Sequence, residues 1–361
     1  MEFGLSQEQT MLQESLARFL GESGNLARSR RFAADKEARA QDVIDGMAEL
    51  GVTGLIIPED HGGVGLSLLD AALVSEVLGA NVTPAPFIGS SVLAPLALMG
   101  AGDAGQQGLW LPKLASGAVV AGVALSEAVG ARDGAGVEIR DGKLYGRSLF
   151  VVDFEADLYV IVDRSGELHL VAADSPGLTR TPLRTIDLTR PTGELRFDGV
   201  EAEPLNSGDT AVALRALIDA GRVMIAADTL GAAQAMLDQA VTYAKERKQF
   251  DRPIATFQAV KHMCAEMAAD LEPCRALVWY AGHALDHLPA EASITACHAK
   301  AHLSEVGTQI AKTATEVHGG MGFTDLVGLH YWFKRIGFNR QILGGPQTVR
   351  EDAARLKGLA A

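Results

Sequence analysis

A short basic and aromatic segment holds the residues of this 361-residue chain that are best suited to bind a ligand. They are Arg247, Gln249, Phe250, Phe257 and Gln258. A guanidinium is a planar fork that matches phosphate oxygens, and phenyl and amide groups can cover and hydrogen-bond a base. The segment therefore fits a ligand with both phosphate and an aromatic ring. Alternatively, both phenyl rings only pack the turn and Arg247 is a surface charge.

Two helices must position this segment. An apolar-periodic run from about Ala220 to Tyr243 predicts one long helix before it. After it, apolar side chains recur at helical spacing and predict a second, antiparallel helix with the stripe Val260, Met263, Cys264, Met267, Ala268 and Leu271. Pro253 suits the first turn of that second helix, where a missing N–H costs nothing.

Composition excludes several classes of protein. With 48% hydrophobic and 21% charged residues the chain is globular, and its length allows two or three domains. The net charge of −13 argues against nucleic acid as a partner. The three cysteines show no metal-ligand spacing, which predicts small core residues in a reducing cytoplasm. There is no basic leader and no apolar run long enough to span a membrane.

The chain changes character twice, which predicts three domains. Residues 1–118 are helical, and Ser6 with Gln9 predicts a capping box for the first helix. Residues 119–209 carry short β-rich runs such as 158–162, 168–171 and 194–197, which favour a small β-barrel or sandwich. Residues 210–361 are helical again. The predicted fold class is α+β, mostly α.

Several segments in this order resemble the acyl-CoA dehydrogenase family of flavoproteins. They include LGVTGLIIPEDHGGVGLSLLDAALVSEVLG, LPKLASGAVVAGVALSE, GRSLFVVDFEADLYVIV, RKQFDRPIATFQAVKHMCAEMA and EVHGGMGF. The resemblance covers essentially the whole chain. It implies a helical domain, a small central β-domain and a C-terminal four-helix bundle, with FAD bound across a subunit interface.

The resemblance assigns a cofactor arm to this chain. In the family, this arm reaches over to the FAD that a neighbouring subunit cradles. Arg247 matches the arginine at the pyrophosphate, and Phe250 and Gln258 match groups on the adenosine side. The glycine pair that lets backbone N–H groups approach phosphate is Gly319 and Gly320. Other residues implied at this site are Gln249, Phe257, Glu316 and Val317; the family has Gln at Glu316, and a carboxylate there would repel pyrophosphate.

The residues that would cradle the flavin ring depart from the family pattern. Where the family reads Thr-Glu-Pro-Gly-Ala-Gly-Ser-Asp, this chain has Ser126-Glu127-Ala128-Val129-Gly130-Ala131-Arg132-Asp133. Val129 and Ala131 replace glycines, and Arg132 replaces a small hydroxyl residue. In the next strand, Trp-Ile-Thr becomes Phe150-Val151-Val152, so another hydroxyl is lost.

The catalytic base is also missing. The family reaction needs a carboxylate that removes the α-proton of the acyl chain. Most members carry it as Glu before the final glycine turn, where this chain has Gly344. A minority carry it just before an arginine in the long helix, where this chain has Gly221. No catalytic residue is therefore assigned.

With these departures, the chain resembles the base-less subunit of heteromeric (α2β2) acyl-CoA dehydrogenases. Actinobacteria use these enzymes on CoA thioesters of steroid side chains. The resemblance implies a heterotetramer in lipid metabolism and steroid degradation. A catalytic partner subunit would supply the base and the flavin cradle, acyl-CoA would be the substrate, and an electron-transfer flavoprotein would be the acceptor.

Two alternatives remain open. One is a self-sufficient homotetrameric dehydrogenase with an unrecognised base such as Asp219, two residues from Gly221. The other is an acyl-CoA-binding or scaffold protein without catalysis or flavin.

Overall fold

The N-terminal part of the computed structural model is helical. The structure describes residues 4–22, 24–36, 39–130 and 134–360. The helices here are α1 (Gln7–Glu22), α2 (Asn25–Asp35), α3 (Gln41–Glu49), α4 (Leu68–Ala80), α5 (Ala94–Ala101) and α6 (Ala104–Ala115). The capping box at α1 is confirmed, since the Gln9 amide donates to Ser6 Oγ at 3.1 Å and the Ser6 amide to Gln9 Oε1 at 3.0 Å.

The central part contains two open four-stranded sheets. Their strands are β1 (Ala121–Ala124), β2 (Gly136–Arg140), β3 (Lys143–Ser148), β4 (Leu158–Val162), β5 (Leu168–Ala172), β6 (Leu178–Leu183), β7 (Thr192–Glu201) and β8 (Glu203–Leu205), with the one-turn helix α7 (Ser126–Val129) after β1. The orders are β1-β4-β5-β8 and β2-β3-β7-β6. Neither order returns to its first strand, so no closed barrel forms. A shared apolar core, which includes Val137, Tyr159 and Phe197, joins strands of both sheets and is typical of a sandwich.

The C-terminal part is built around one buried helix. Its helices are α8 (Thr210–Glu246), α9 (Gln258–His287), α10 (Pro289–His318), α11 (His330–Gln341) and α12 (Pro346–Leu356). Between Leu217 and Ala233 every side chain of α8 is buried, because α4, α9, α10 and α11 surround it. This stretch is mostly apolar, and its buried charged residues, such as Asp219 and Asp228, have partners on neighbouring elements. None of the described helices is long and apolar enough to cross a membrane.

A buried ion network joins the three parts of the chain. Asp228 on α8 accepts hydrogen bonds from Arg335 at 2.6 Å, from Arg190 of the β6–β7 loop at 2.9 Å and from Asn339 at 2.6 Å. Arg335 also donates to the carbonyl of Thr83, beyond α4, at 2.8 Å. Burial alone would raise the pKa of Asp228, but the two guanidinium groups hold it below its ordinary value. The network fixes the β-domain against the helices.

Candidate functional site

The basic and aromatic segment forms a miniature β-hairpin between α8 and α9. Strands β9 (Lys248–Gln249) and β10 (Arg252–Pro253) pair antiparallel, with Gln249 opposite Arg252. The two tip residues, Phe250 and Asp251, have φ of 51° and 62°. Two consecutive left-handed residues are the signature of a type I′ turn.

The prediction that Pro253 begins the second helix is wrong. Pro253 pairs with Lys248 in the hairpin and keeps an extended backbone (ψ 140°). A 3₁₀ turn at 254–256 follows, and α9 begins only at Gln258. Of the predicted stripe, Met267 and Leu271 are buried, whereas Ala268 is exposed.

The hairpin presents a cation and one ring to solvent, with a second, half-buried ring beside them. Phe250 is 87% exposed, and its ring lies edge-on to that of Phe257 at 6.1 Å between centroids. The Arg252 guanidinium lies over the Phe257 ring, 4.1 Å from its centroid. Arg252 is not among the site residues predicted from the sequence, although it lies in the same basic and aromatic segment as Phe257. An exposed phenyl ring on a left-handed backbone is a costly arrangement that indicates a binding role.

Arg247 ends α8 beside this hairpin. Its amide donates to the carbonyl of Tyr243, and its own carbonyl accepts from the Ile254 amide, each at 2.8 Å. Its side chain is exposed and has no hydrogen bond or ion pair within the described chain. The backbone is thus fixed while the guanidinium stays available for an anion.

A ring contact between α8 and α10 places the glycine pair at the same end of the helical bundle as Arg247. Tyr243, four residues before Arg247, stacks on His318 with centroids 4.6 Å apart, and His318 directly precedes Gly319. The His318 Nδ1 lies 2.7 Å from the carbonyl oxygen of Ala314, which fixes the ring. A Cβ on Gly319 or Gly320 would meet nothing within 4 Å, so this backbone faces open space.

The two residues before His318 differ in exposure. Glu316 is exposed, so its carboxylate adds negative charge beside the glycine pair. Val317 is 7% exposed and packs against the core, which leaves only its backbone for a ligand.

A second feature is a cleft of about 690 Å³ between the β-domain and the C-terminal helices. Ser126, Val129, Phe150 and Thr185 form one wall. The opposite wall contains Phe338 and the turn of residues 341–345. The cleft is therefore bounded by the segments where the flavin cradle and the main catalytic base were expected.

Both positions at which the family carries its base are occupied by glycine here, and a larger residue at either would meet strain or a close contact. Gly344 has φ 101°, where an L side chain is strained, and a Cβ there would lie 3.0 Å from Val349 Cγ2. At Gly221 a Cβ would lie 2.5 Å from Leu343 Cδ1, so the Leu343 side chain fills that space. Among the described residues lining the cleft there is no carboxylate.

The acidic residue nearest to Gly221 is directed elsewhere. Asp219 is 2% exposed, accepts a hydrogen bond from Ser293 on α10 and is not a lining residue of the cleft. Burial raises the pKa of its carboxyl, and the Ser293 hydrogen bond and Arg215 offset this only in part.

The described residues fit the pyrophosphate and adenosine of FAD better than its flavin ring. The hairpin and glycine pair offer a free guanidinium, the exposed Phe250 ring and open backbone, which suit the pyrophosphate and adenosine. In the cleft, Ser126 Oγ donates to the Phe150 carbonyl at 3.1 Å and Thr185 Oγ1 to the Asp187 carbonyl at 3.0 Å. These two hydroxyls of the β-domain wall are thus committed to the protein. The substituted residues Ala131 and Arg132 lie outside the described residues, as does Asp133, which matches the family pattern.

Comparisons with known proteins agree on one family. Family models described as "Acyl-CoA dehydrogenase, N-terminal domain" and "Acyl-CoA dehydrogenase, C-terminal domain" match residues 6–118 and 210–355. The chain is 30% identical to acyl-CoA dehydrogenase IpdE2 of Mycobacterium tuberculosis (strain ATCC 25618 / H37Rv) over 344 residues, which is 95% of each chain.

Solved structures show the same fold over nearly the full length. A variant of the Tcur3481-Tcur3483 steroid ACAD superposes with a TM-score of 0.88 at 29% identity and 98% coverage of both chains. A chain of the ChsE4-ChsE5 complex from Mycobacterium tuberculosis superposes with a TM-score of 0.90 at 26% identity and full coverage of both. FAD is the cofactor of this family. The chain belongs to the acyl-CoA dehydrogenase family.

Proposed function

We propose that this chain is the non-catalytic subunit of a heteromeric, FAD-dependent acyl-CoA dehydrogenase. It would contribute Arg247, Phe250, Gln258 and the Gly319–Gly320 backbone to FAD cradled mainly by a different, catalytic subunit. The assembly would be an α2β2 heterotetramer that desaturates an acyl-CoA and passes electrons to an electron-transfer flavoprotein. The cytoplasm is its proposed location.

One observation carries this proposal. The arm has an exposed arginine without a partner among the described residues, while the chain has glycine at both positions where the family carries its base. Gly344 lies at a φ that disfavours glutamate, and Leu343 occupies the space beside Gly221. A catalytic subunit would need one of these carboxylates. The Arg247 side chain, by contrast, is exposed and has no hydrogen bond or ion pair among the described residues.

Two comparisons support the heteromeric assembly and the substrate class. The name of one structural relative, the ChsE4-ChsE5 complex, states two components. The name of another, the Tcur3481-Tcur3483 steroid ACAD, states two components and a steroid. A CoA thioester of a steroid side chain is therefore the substrate class we propose. The cleft of about 690 Å³ in this chain would then be a catalytically silent counterpart of the partner's substrate site.

Co-expression tests the proposal directly. The gene of this chain would be expressed alone and together with that of a dehydrogenase-like catalytic subunit from the same genome. We expect bound FAD and oxidation of a steroid side-chain CoA thioester only in the co-purified complex. Turnover by this chain alone would refute the non-catalytic role and favour a self-sufficient homotetramer.

A further inference from the structure

Two exposed histidines lie side by side near the end of α9. His283 and His287 are one helical turn apart, so their side chains are on the same face of the helix. Their imidazole rings lie 4.6 Å apart between centroids, with 48° between the ring planes. The two rings are therefore close enough for a single ion to contact a nitrogen of each.

Both rings are without a polar partner in the described part of the chain. Neither forms a hydrogen bond or an ion pair with a described residue. The carboxylate of the adjacent Asp286 is engaged elsewhere, because it accepts from the backbone amides of Leu68 at 2.9 Å and Leu69 at 3.3 Å, at the start of α4. The imidazole nitrogens are thus available to a ligand from outside the chain.

We propose that His283 and His287 form a chelating site for a divalent transition-metal ion of the class of copper(II), nickel(II) and zinc(II). Neutral imidazole is a ligand that suits these ions. Two histidines at positions i and i+4 of one helix also supply two of the zinc ligands in the His-Glu-x-x-His motif. Chelation requires no change in the helix, because the spacing and the ring contact are already present.

The site is separate from the cofactor arm and the cleft. Neither histidine lines the cleft. His283 lies roughly 35–40 Å along α9 from Gln258, where the helix begins beside the hairpin. Metal binding here is therefore a property of this chain that does not depend on FAD, on acyl-CoA or on a partner subunit.

Two protein ligands make this an open site. Structural zinc sites have four protein ligands, and catalytic zinc sites have three. Among the described residues, no group of three or more His, Cys, Asp or Glu side chains is arranged to hold a metal. Water therefore completes the coordination of the ion, and its positions stay open to a further ligand. The helix does not need the ion, because Val278, Ala281 and Ala284 anchor the same turns in the core.

A second pair of histidines has the same spacing. His298 and His302 on α10 are also exposed and four residues apart. This pair competes for the same ions in a binding measurement. The reference protein for the test therefore carries His302→Ala, which breaks the second pair and leaves α9 unchanged.

Calorimetric titration of this full-length reference protein with zinc chloride tests the inference. A pH of about 7.5 keeps ordinary imidazoles neutral, which metal binding requires. We expect one zinc ion to bind per chain. His283→Ala and His287→Ala, each added to the reference protein, should abolish that binding, because a single imidazole cannot chelate. His262→Ala is the matched control, since it removes another exposed imidazole of α9, and it should retain the site.

Electron paramagnetic resonance of the copper(II) complex identifies the ligands. The reference protein should show coupling of copper to two imidazole nitrogens, and His287→Ala to fewer. Circular dichroism checks that every variant is folded. Absence of zinc binding in the reference protein, unchanged binding in either His283→Ala or His287→Ala, or an equal loss in His262→Ala would each overturn the inference. None of these results bears on the non-catalytic role, since the measurements involve neither FAD nor a partner.

Discussion

At the scale of single residues, the candidate functional side chains differ in whether they already form hydrogen bonds within the protein. Arg247 has a fixed backbone and a free guanidinium, whereas the Ser126 and Thr185 hydroxyls of the cleft are bonded to backbone carbonyls. The first arrangement is ready for a ligand outside the chain. The second uses the protons of these two hydroxyls within the protein.

The free guanidinium leads to a prediction for the assembled complex. Arg247→Ala should weaken FAD binding about ten- to hundredfold, because one charge-assisted hydrogen bond to phosphate is lost. Arg247→Lys should recover only part, since an ammonium lacks the planar fork. FAD titration of the co-purified complex measures this effect.

The control is Lys245→Ala, which removes an exposed cation two residues earlier. It should leave FAD affinity nearly unchanged, and thermal melting should show all three variants folded. Equal affinity of Arg247→Ala and wild type would mean that this hairpin is not the cofactor arm.

A second prediction concerns the glycine at the usual base position. Gly344→Glu should add no second active site, because the backbone φ of 101° strains any side chain and the β-domain hydroxyls stay committed. The strain should cost about 1–3 kcal/mol of stability.

Gly344→Ala carries the same backbone strain without the carboxylate and is the matched control. Both variants should melt at similar, lowered temperatures, and neither complex should turn over acyl-CoA faster than wild type. Higher turnover in Gly344→Glu than in Gly344→Ala would show that a catalytic seat exists in this chain.

At the scale of elements, the sequence predicts regular structure well and contacts between distant segments poorly. The apolar run around Ala220–Tyr243 indicates a long helix, and α8 extends over Thr210–Glu246. The hairpin tip could not be predicted, because type I′ turns favour Asn and Gly rather than the Phe250–Asp251 pair found here. Local propensity therefore favoured a helix start at Pro253.

Part of the candidate site likewise cannot be predicted from the sequence alone. Glycine at 344 and 221 is read from the sequence, but only the fold shows Leu343 filling the space beside Gly221. The Tyr243–His318 stack links residues 75 positions apart and depends on how α8 and α10 pack. Such contacts follow from helix packing, which no local pattern encodes.

The buried ion network gives a prediction at this scale. Asp228→Asn should destabilise the fold by about 3–5 kcal/mol, because it removes the carboxylate that pairs directly with the buried Arg335 and Arg190. Asp238→Asn is the control on the same helix, where an exposed carboxylate accepts a hydrogen bond only from Gln234. Its effect should stay within about 0.5 kcal/mol.

Denaturant unfolding, followed by circular dichroism and tryptophan fluorescence, measures both variants. A midpoint for Asp228→Asn equal to that of Asp238→Asn would contradict the view that this network fixes the domains together.

At the scale of the whole molecule, the chain has the complete fold of its family with unequal halves of a cofactor site. The arm at the end of α8 and α10 faces outward, and the cleft between the β-domain and helices lacks a carboxylate among its described lining residues. Under the proposed function, such a molecule acts only beside a subunit that supplies the base and the flavin cradle. Purified alone, it should retain little FAD and should not oxidise acyl-CoA.

The ratio of flavin to protein in the co-purified complex tests this account most directly. Absorbance of released FAD, together with the amounts of both subunits, gives the number of cofactors for each pair. The account predicts a single FAD for each pair of unlike subunits, and its loss when Arg247→Ala is introduced into this chain alone. Stoichiometric FAD in this chain purified by itself, or two FAD for each pair, would contradict it.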